Sequence, residues 1–254
     1  MGRLWCAGFP EAAIELGTTA KPVTIVLPYY ENLDFLRHQL RHWSEFPLSV
    51  RPHFSAIIVD DGSPRQPAEL VLRDESAPFP VRLFRIDVDV RWNWLAARNV
   101  GAHHAPEGWM VCTDMDHVIP HGTAEALVYG IHDPDGIYIF ERREHTGCAI
   151  HPHPNSWFYT RRTYWRIGGY DERFSGYYGT DGIYRRRCAL TAPVRIMDVA
   201  LERHEFVGDS STVDYLRKQP EDAKARQILA KLPRNAKPRV LSFPYHEVSL
   251  CSTS

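Results

Sequence analysis

The chain has 254 residues, of which 44% are hydrophobic and 24% are charged, with a formal net charge of -1. This composition excludes a disordered or fibrous protein, and the chain is long enough to bury a continuous sheet. A net charge near zero provides no general attraction to nucleic acid or anionic lipid. Five scattered cysteines without a Cys-x-x-Cys spacing disfavour a disulfide framework and a structural zinc site.

The sequence has no pattern of a secretory leader or a membrane span. No basic stretch followed by an apolar core occurs at the N-terminus, and no run of about eighteen apolar residues occurs elsewhere. We therefore expect a cytoplasmic protein without integral membrane contact. Residues 1–21 lack a clear periodicity and are interpreted as an N-terminal arm.

The first half of the sequence alternates apolar runs with helical patterns. The apolar runs, which are typical of strands buried on both faces, cover residues 23–27, 54–59, 81–86 and 109–112. Helical patterns cover residues 33–43, 68–73 and 95–103. This alternation predicts an α/β fold with a parallel sheet and right-handed crossovers. In such sheets, ligands lie beyond the carboxyl ends of the strands.

The second half of the sequence is less regular. We predict strands at residues 136–140 and 194–199 and a helix at residues 181–189. An aromatic-rich stretch, a glycine-rich turn and a histidine-rich loop cover residues 155–165, 168–172 and 145–153. The loop has no metal-site spacing and is interpreted as an acceptor-side loop. A polar helix and a proline-containing tail are predicted after about residue 214.

Two aspartates, Asp114 and Asp116, follow the fourth predicted strand. Carboxylates on both sides of one residue can reach the same hard cation, and Mn²⁺ or Mg²⁺ prefers such oxygen ligands together with substrate phosphates. A cation there would neutralise the charge that develops on a departing diphosphate. The alternative interpretation of this pattern is an ordinary surface turn.

Polar and aromatic residues also follow the first two predicted strands. Asp60 and Asp61 end the second strand, where a carboxylate can accept a hydrogen bond from a nucleobase or ribose. Tyr29 and Tyr30 follow Pro28 and offer a flat face for a base. The alternatives are a turn at the aspartates, since Asp favours turns, and ordinary packing of the tyrosines.

Five motifs occur in order along residues 22–205, at positions 23–32, 58–63, 97–101, 114–116 and 167–172. Together they resemble a family-2 glycosyltransferase with the GT-A fold. The resemblance implies a three-layer α/β/α, Rossmann-like nucleotide-sugar-binding fold with a mostly parallel central sheet. We divide the chain into an arm (1–21), a catalytic domain (22–213) and a packed C-terminal tail (214–254). Within the domain, residues 22–134 form the nucleotide-binding half and residues 135–213 the acceptor-side half.

The resemblance also implies an activity and a set of site residues. The activity is metal-dependent transfer of a hexose or pentose from a UDP- or GDP-sugar to an acceptor hydroxyl, with inversion. The expected donor-binding residues are Pro28, Tyr29, Tyr30, Glu31, Asp60, Asp61, Arg98 and Asp114. The expected ligands of Mn²⁺ or Mg²⁺ are Asp114, Asp116 and His204. The residues assigned to the acceptor side are Trp157, Gly169, Tyr170 and Asp171.

Asp181 matches the later acidic motif of the family, in which Thr180 replaces the usual glutamate. The resemblance implies that Asp181 is the general base, because direct displacement at the anomeric carbon needs a carboxylate that accepts the hydroxyl proton. The alternative is an N-cap of the following helix. For His204, the alternative to a metal ligand is a structural role.

Two other functions and several acceptors stay open. A nucleotidyltransferase would normally have a glycine-rich phosphate loop after the first strand, where this chain has Tyr29–Asn32. A nucleotide-sugar-binding module without catalysis is disfavoured because Asp116 and Asp181 are present. The acceptor is a sugar, a lipid-linked glycan, a protein or, least favoured, a modified base in DNA, since the aromatic stretch can stack on sugars or bases.

Overall fold

The computed structural model describes residues 19–177, 179–204, 219–233 and 236–250. Residues 1–18 of the predicted N-terminal arm and the predicted domain boundary at residues 213 and 214 lie outside these ranges. No helix in the described ranges combines the length and apolar character needed to cross a membrane.

Within the described ranges, ten strands form one sheet. The strands are β1 (Val23–Tyr29), β2 (Phe54–Asp60), β3 (Val81–Ile86), β4 (Trp109–Cys112), β5 (His117–Val118), β6 (Ile137–Glu144), β7 (Ala149–Ile150), β8 (Trp157–Thr160), β9 (Val194–Arg203) and β10 (Tyr245–Val248). The α-helices are α1 (Leu33–Trp43), α2 (Glu69–Leu72), α3 (Trp94–His104), α4 (His121–Tyr129), α5 (Arg161–Ile167), α6 (Asp181–Thr191) and α7 (Gln219–Lys231). Short 3-10 helices occur at Arg51–His53 and Glu172–Phe174.

The strand order is β10-β3-β2-β1-β4-β8-β6-β9-β5, and β7 pairs with β6. The strands β3, β2, β1 and β4 are mutually parallel, as predicted, and β6 is parallel to β9. Strand β8 is antiparallel to both β4 and β6, and β10 is antiparallel to β3. The carboxyl ends of β1, β2 and β4 therefore meet at one edge of the sheet, which brings the two predicted acidic turns to the same side.

Alternate residues of the central strands pack into different hydrophobic cores on the two faces of the sheet. Ile25 and Leu27 of β1 belong to the core that contains α1, whereas Val26 belongs to the core that contains α3. Burial on both faces explains why the run in β1 is apolar throughout. Helix α1 begins after Asn32, whose side chain accepts a hydrogen bond from the backbone N–H of Phe35. The predicted α/β fold is confirmed.

A buried hydrogen-bond cluster connects α3 with the C-terminal segment. The Nδ2 atom of Asn99 donates to the Glu172 carboxylate over 2.8 Å, and that carboxylate accepts from the backbone N–H groups of Leu241 and Ser242 at 2.7 and 2.6 Å. Gly169 has a φ of +68°, and a Cβ there would lie 2.8 Å from the Asn99 Oδ1 atom. The cluster thus requires glycine at this position and fixes α3, which carries Arg98.

Candidate functional site

Two predicted donor-side carboxylates hold the loop after β2. The Asp60 oxygens accept from the backbone N–H groups of Ser63 and Ala68 at 2.7 and 2.9 Å. The Glu31 carboxylate accepts from the backbone N–H and the Nε atom of Arg65 at 2.7 and 3.0 Å. Burial raises the pKa of Asp60, and these hydrogen bonds oppose the rise. Both side chains therefore shape the loop that borders the predicted base site.

Asp61 is buried beside Asn93, at the start of α3. Among the described residues, the Asp61 Oδ1 atom and both polar side-chain atoms of Asn93 have no hydrogen-bond partner. Burial raises the pKa of Asp61 well above its usual range, and the charges of Asp60 and Asp89 raise it further, while the nearby side chain and backbone N–H of Asn93 oppose the rise. Buried polar atoms without partners cost free energy, so these atoms are suited to a polar ligand such as a nucleobase.

The structure separates the two predicted stacking tyrosines. Pro28 and Tyr29 are buried within β1, and the Tyr29 hydroxyl donates to the Gln66 carbonyl over 2.5 Å. Tyr30 is 38% exposed, and its hydroxyl donates to Asp89 over 3.1 Å. Tyr30 therefore presents a ring surface at this end of the sheet, whereas the Tyr29 ring is part of the core.

Arg98 is the centre of a hydrogen-bond network that joins three predicted site residues. Its side chain is fully buried and donates to the Asp114 carboxylate, to the backbone carbonyl of Asn155 and, over 3.1 Å, to the Tyr170 hydroxyl. The Nδ2 atom of Asn155 then donates to the Asp181 carboxylate over 2.6 Å. Arg98, Asp114 and Asp181 are the candidate residues for the diphosphate, the ribose and the general base. One connected hydrogen-bond network thereby holds all three.

The environment of Asp181 favours a proton acceptor. Burial raises the pKa of its carboxyl, as does the negative charge of Asp114, while the hydrogen bond from Asn155 and the charge of Arg98 limit the rise. A carboxylate with a raised pKa takes up a proton more readily near neutral pH. Asp181 is the first residue of α6, and the N-cap position belongs to Thr180. The N-cap alternative for Asp181 therefore does not describe this helix.

Asp116 stays ionised over a wide pH range. Its Oδ1 atom lies 2.7 Å from the Nδ1 atom of His117, and its Oδ2 atom lies 3.9 Å from the Arg203 Nε atom. Burial alone would raise the pKa of Asp116, but the hydrogen bond and charge of His117 and the charge of Arg142 lower it to about 2. The side chain is nonetheless 29% exposed. An ionised, accessible carboxylate suits a hard cation.

The predicted metal ligands do not form one closed cluster. Among the described residues, no group of three or more His, Cys, Asp or Glu side chains has a metal-binding arrangement. The His204 ring packs against His38 and His145, with centroid separations of 4.7 and 5.9 Å, while its backbone N–H donates to the Asp116 carbonyl. Since Mg²⁺ is commonly held by one or two carboxylates plus phosphates and water, Asp116 with Asp114 still fits such an ion.

The predicted acceptor-side residues are packing residues in the structure. Trp157 is 2% exposed, and Tyr170 is fully buried with its ring stacked on Tyr184 at a centroid separation of 3.8 Å. The Asp171 carboxylate pairs with Arg173 over 2.7 Å. Gly169 takes part in the buried cluster with Asn99, and the assignment of these four residues to the acceptor side stays a prediction.

Comparison with known proteins decides the family. The sequence model of glycosyl transferase family 2 matches residues 24–191, more than half of the chain and the whole network from Arg98 to Asp181. The chain belongs to glycosyl transferase family 2. The predicted family is thus confirmed, and the nucleotidyltransferase alternative loses support. A search of curated proteins finds no match to this family-2 glycosyltransferase.

Solved glycosyltransferases share the fold of this family-2 member. Residues 1–349 of Staphylococcus aureus TarS, in complex with UDP-GlcNAc, align with a TM-score of 0.60 at 15% identity, over 83% of this chain and 71% of that one. The mannosyltransferase PcManGT from Pyrobaculum calidifontis, in complex with GDP-Man and Mn²⁺, aligns with a TM-score of 0.56 at 15% identity. That alignment covers 85% of this chain and 68% of the mannosyltransferase.

Two residues near the candidate site of this glycosyltransferase, Asn155 and His153, were not predicted from the sequence. Asn155 comes directly before β8, so only the antiparallel pairing of β8 with β4 brings it to Asp114. His153 lies in the histidine-rich loop, and its Nε2 atom is 3.4 Å from the Asp114 Oδ2 atom. Burial lowers the pKa of His153 well below its usual range, so this contact is not an ion pair at neutral pH. Recognition of β8 as a strand would have indicated both residues.

The Asn155→Ala variant is expected to have a higher pKa at the Asp181 carboxyl. The substitution removes the hydrogen bond that stabilises the ionised form, while burial and the charge of Asp114 remain. NMR titration of carbon-13-labelled aspartate carboxyls measures this pKa without any substrate. An Asn155→Asp variant should also raise it, because it adds a negative charge. An unchanged or lowered pKa in Asn155→Ala would contradict the assigned hydrogen bond.

Proposed function

We propose that this glycosyltransferase moves a sugar from a UDP- or GDP-sugar to an acceptor hydroxyl with inversion, using Asp181 as the general base. The observation that carries the proposal is the network in which Arg98 binds Asp114 and, through Asn155, positions Asp181. This network connects Asp114, which suits the donor, with Asp181, which suits the proton of the acceptor hydroxyl.

The donor runs along the carboxyl edge of the sheet in this proposal. The nucleobase meets the unpartnered polar atoms of Asp61 and Asn93 beside the Tyr30 ring, and the diphosphate lies near Asp114 and Asp116. The nucleotide sugars bound by TarS and by the Pyrobaculum mannosyltransferase support a donor of this class. The mannosyltransferase complex with Mn²⁺ supports a divalent cation.

Asp116 is the principal carboxylate for Mn²⁺ or Mg²⁺, and Asp114 contributes to the cation or to the ribose. When bound, the cation neutralises charge on the departing diphosphate. Arg98 holds one oxygen of Asp114, which fixes that carboxylate at the end of β4. His204 serves a structural role in the proposal, since its ring packs against His38.

The proposed chemical step is a direct displacement. The acceptor oxygen forms a bond to the anomeric carbon as the bond from that carbon to the diphosphate oxygen breaks. The hydroxyl proton passes to Asp181, whose raised pKa suits this transfer. One displacement inverts the configuration at the anomeric carbon.

Binding of nucleotides with and without metal tests the donor site. We expect UDP or GDP, and the corresponding nucleotide sugar, to raise the thermal midpoint only when Mn²⁺ or Mg²⁺ is present. A ligand at 100 times its Kd stabilises a protein by about 2.7 kcal/mol, which such a scan detects. No stabilisation by any nucleotide would contradict the proposal. Binding without donor cleavage across a panel of acceptors would instead favour the non-catalytic binding module.

A further inference from the structure

Arg142 on β6 is a partly buried cation that has no direct partner in the described part of the chain. Its Nε atom is buried, and among the described residues its side chain has neither a hydrogen bond nor a salt bridge. Burial lowers the pKa of its guanidinium. Its neighbours differ, because Arg143 lies 3.8 Å from Glu141 and Arg203 lies 3.2 Å from Glu144.

An unpaired charge in this environment is energetically costly. Removal of a guanidinium from water is compensated only when an anion or several acceptors replace the water. The chain provides such compensation for Arg98, which binds Asp114, Asn155 and Tyr170. Among the described residues none contacts Arg142 in this way, although the charges of Asp116, Glu144 and Asp114 act on it at longer range. The described part of the chain therefore places no anion in direct contact with this guanidinium.

The sheet order indicates which part of the substrates reaches Arg142. Strand β2, which precedes the proposed base site, lies on one side of β4, whereas β6 lies on the other side, beyond β8. Since Asp116 follows β4, a donor that extends from Asp61 to Asp116 places its nucleoside on the β2 side. The transferred sugar and the acceptor then face the β6 side, where Arg142 lies.

We propose that Arg142 binds a phosphate or carboxylate group carried by the acceptor or by the transferred sugar. The planar guanidinium forms paired hydrogen bonds with either anion, and these bonds are stronger in a partly desolvated place. This inference rests on the proposed function for the direction of the donor, and it assigns an anionic substrate class to the same site.

Calorimetric binding experiments on the full chain with Mn²⁺ test the subsite, with UDP or GDP present for the acceptor probes and absent for the donor probes. The acceptor probes are glucose 6-phosphate, glucuronate and glucose, and the donor probes are UDP-glucuronic acid and UDP-glucose. We expect an anionic probe of one set to bind about tenfold or more tightly than its neutral counterpart. The set in which the preference occurs identifies whether the acceptor or the donor sugar carries the anion.

Three variants assign the effect to Arg142. The Arg142→Gln variant is expected to lose the anion preference, and Arg142→Lys to keep part of it. The matched control, Arg143→Gln on the same strand, is expected to keep it fully. The thermal midpoint of Arg142→Gln should not fall, since no described partner is lost.

The outcomes separate this inference from the proposed function. Absence of nucleotide binding in the unmodified chain would contradict the proposed function. Normal nucleotide binding without any anion preference would overturn only the Arg142 subsite. The subsite would also be overturned if Arg142→Gln weakened UDP or GDP itself, because the residue would then hold the diphosphate, or if it lowered the thermal midpoint while the preference persisted.

Discussion

The Asp181→Asn variant is expected to bind the nucleotide donor normally and to lose about 10²–10⁴-fold in turnover, the range that a positioned general base contributes. Asparagine has nearly the same shape, so the fold is retained, but it cannot accept the acceptor proton. Steady-state kcat and the equilibrium affinity for UDP or GDP, measured on the same preparation, check both parts.

The control for this variant is Asp198→Asn, which changes an exposed aspartate on β9. It should leave both kcat and nucleotide affinity unchanged. The raised pKa of Asp181 adds a pH test: because the base acts in its ionised form, kcat/KM should fall as the pH decreases through that raised pKa. Full turnover by Asp181→Asn would exclude Asp181 as the base.

The Asp116→Ala variant is expected to lose the metal-dependent part of nucleotide binding, with metal affinity reduced by at least about 100-fold. The expectation follows because even loss of a group that only supports a ligand reduces metal affinity about 10–100-fold. Nucleotide affinity with and without Mn²⁺, measured by calorimetry, gives the comparison. Residual binding without metal should match that of the unmodified chain.

A His204→Ala variant is the companion to Asp116→Ala. Since the His204 ring packs against His38 rather than joining a carboxylate cluster, this variant should keep metal-dependent nucleotide binding. Loss of that binding in His204→Ala would restore His204 as a ligand. Unchanged metal dependence in Asp116→Ala would instead remove Asp116 from the proposed cation site.

Local sequence patterns predicted the parallel part of the fold well. The runs that form β1 to β4 are apolar on both faces, and the spacing of Leu36, Leu40 and Trp43 indicated α1 with the bounds it has in the structure. The apolar runs reflect burial of each strand on both faces, and the helical spacing reflects one buried face of α1. Both patterns are therefore visible within a single element of the sequence. The same signals placed Asp60 and Asp114 at one edge of the sheet, which the topology confirms.

The rest of the site depends on pairings that no local pattern records. All four residues of strand β8 are buried and lie within an aromatic stretch, so its sequence does not distinguish a strand from other core segments. Its antiparallel pairing with β4 carries Asn155 to Arg98. Likewise, Tyr29 and Tyr30 are adjacent in sequence, and only the end of β1 decides which ring is buried.

The last strand has a consequence for the order of folding. Strand β10 covers the edge of β3, and Tyr245 pairs with Ile86 across a separation of more than 150 residues. During synthesis, β3 must therefore wait for the segment at residues 245–248 with its backbone N–H and C=O groups unpaired. An open strand edge pairs readily with other chains. The edge of β3 is thus open to pairing with other chains from the time β3 folds until residues 245–248 join the sheet.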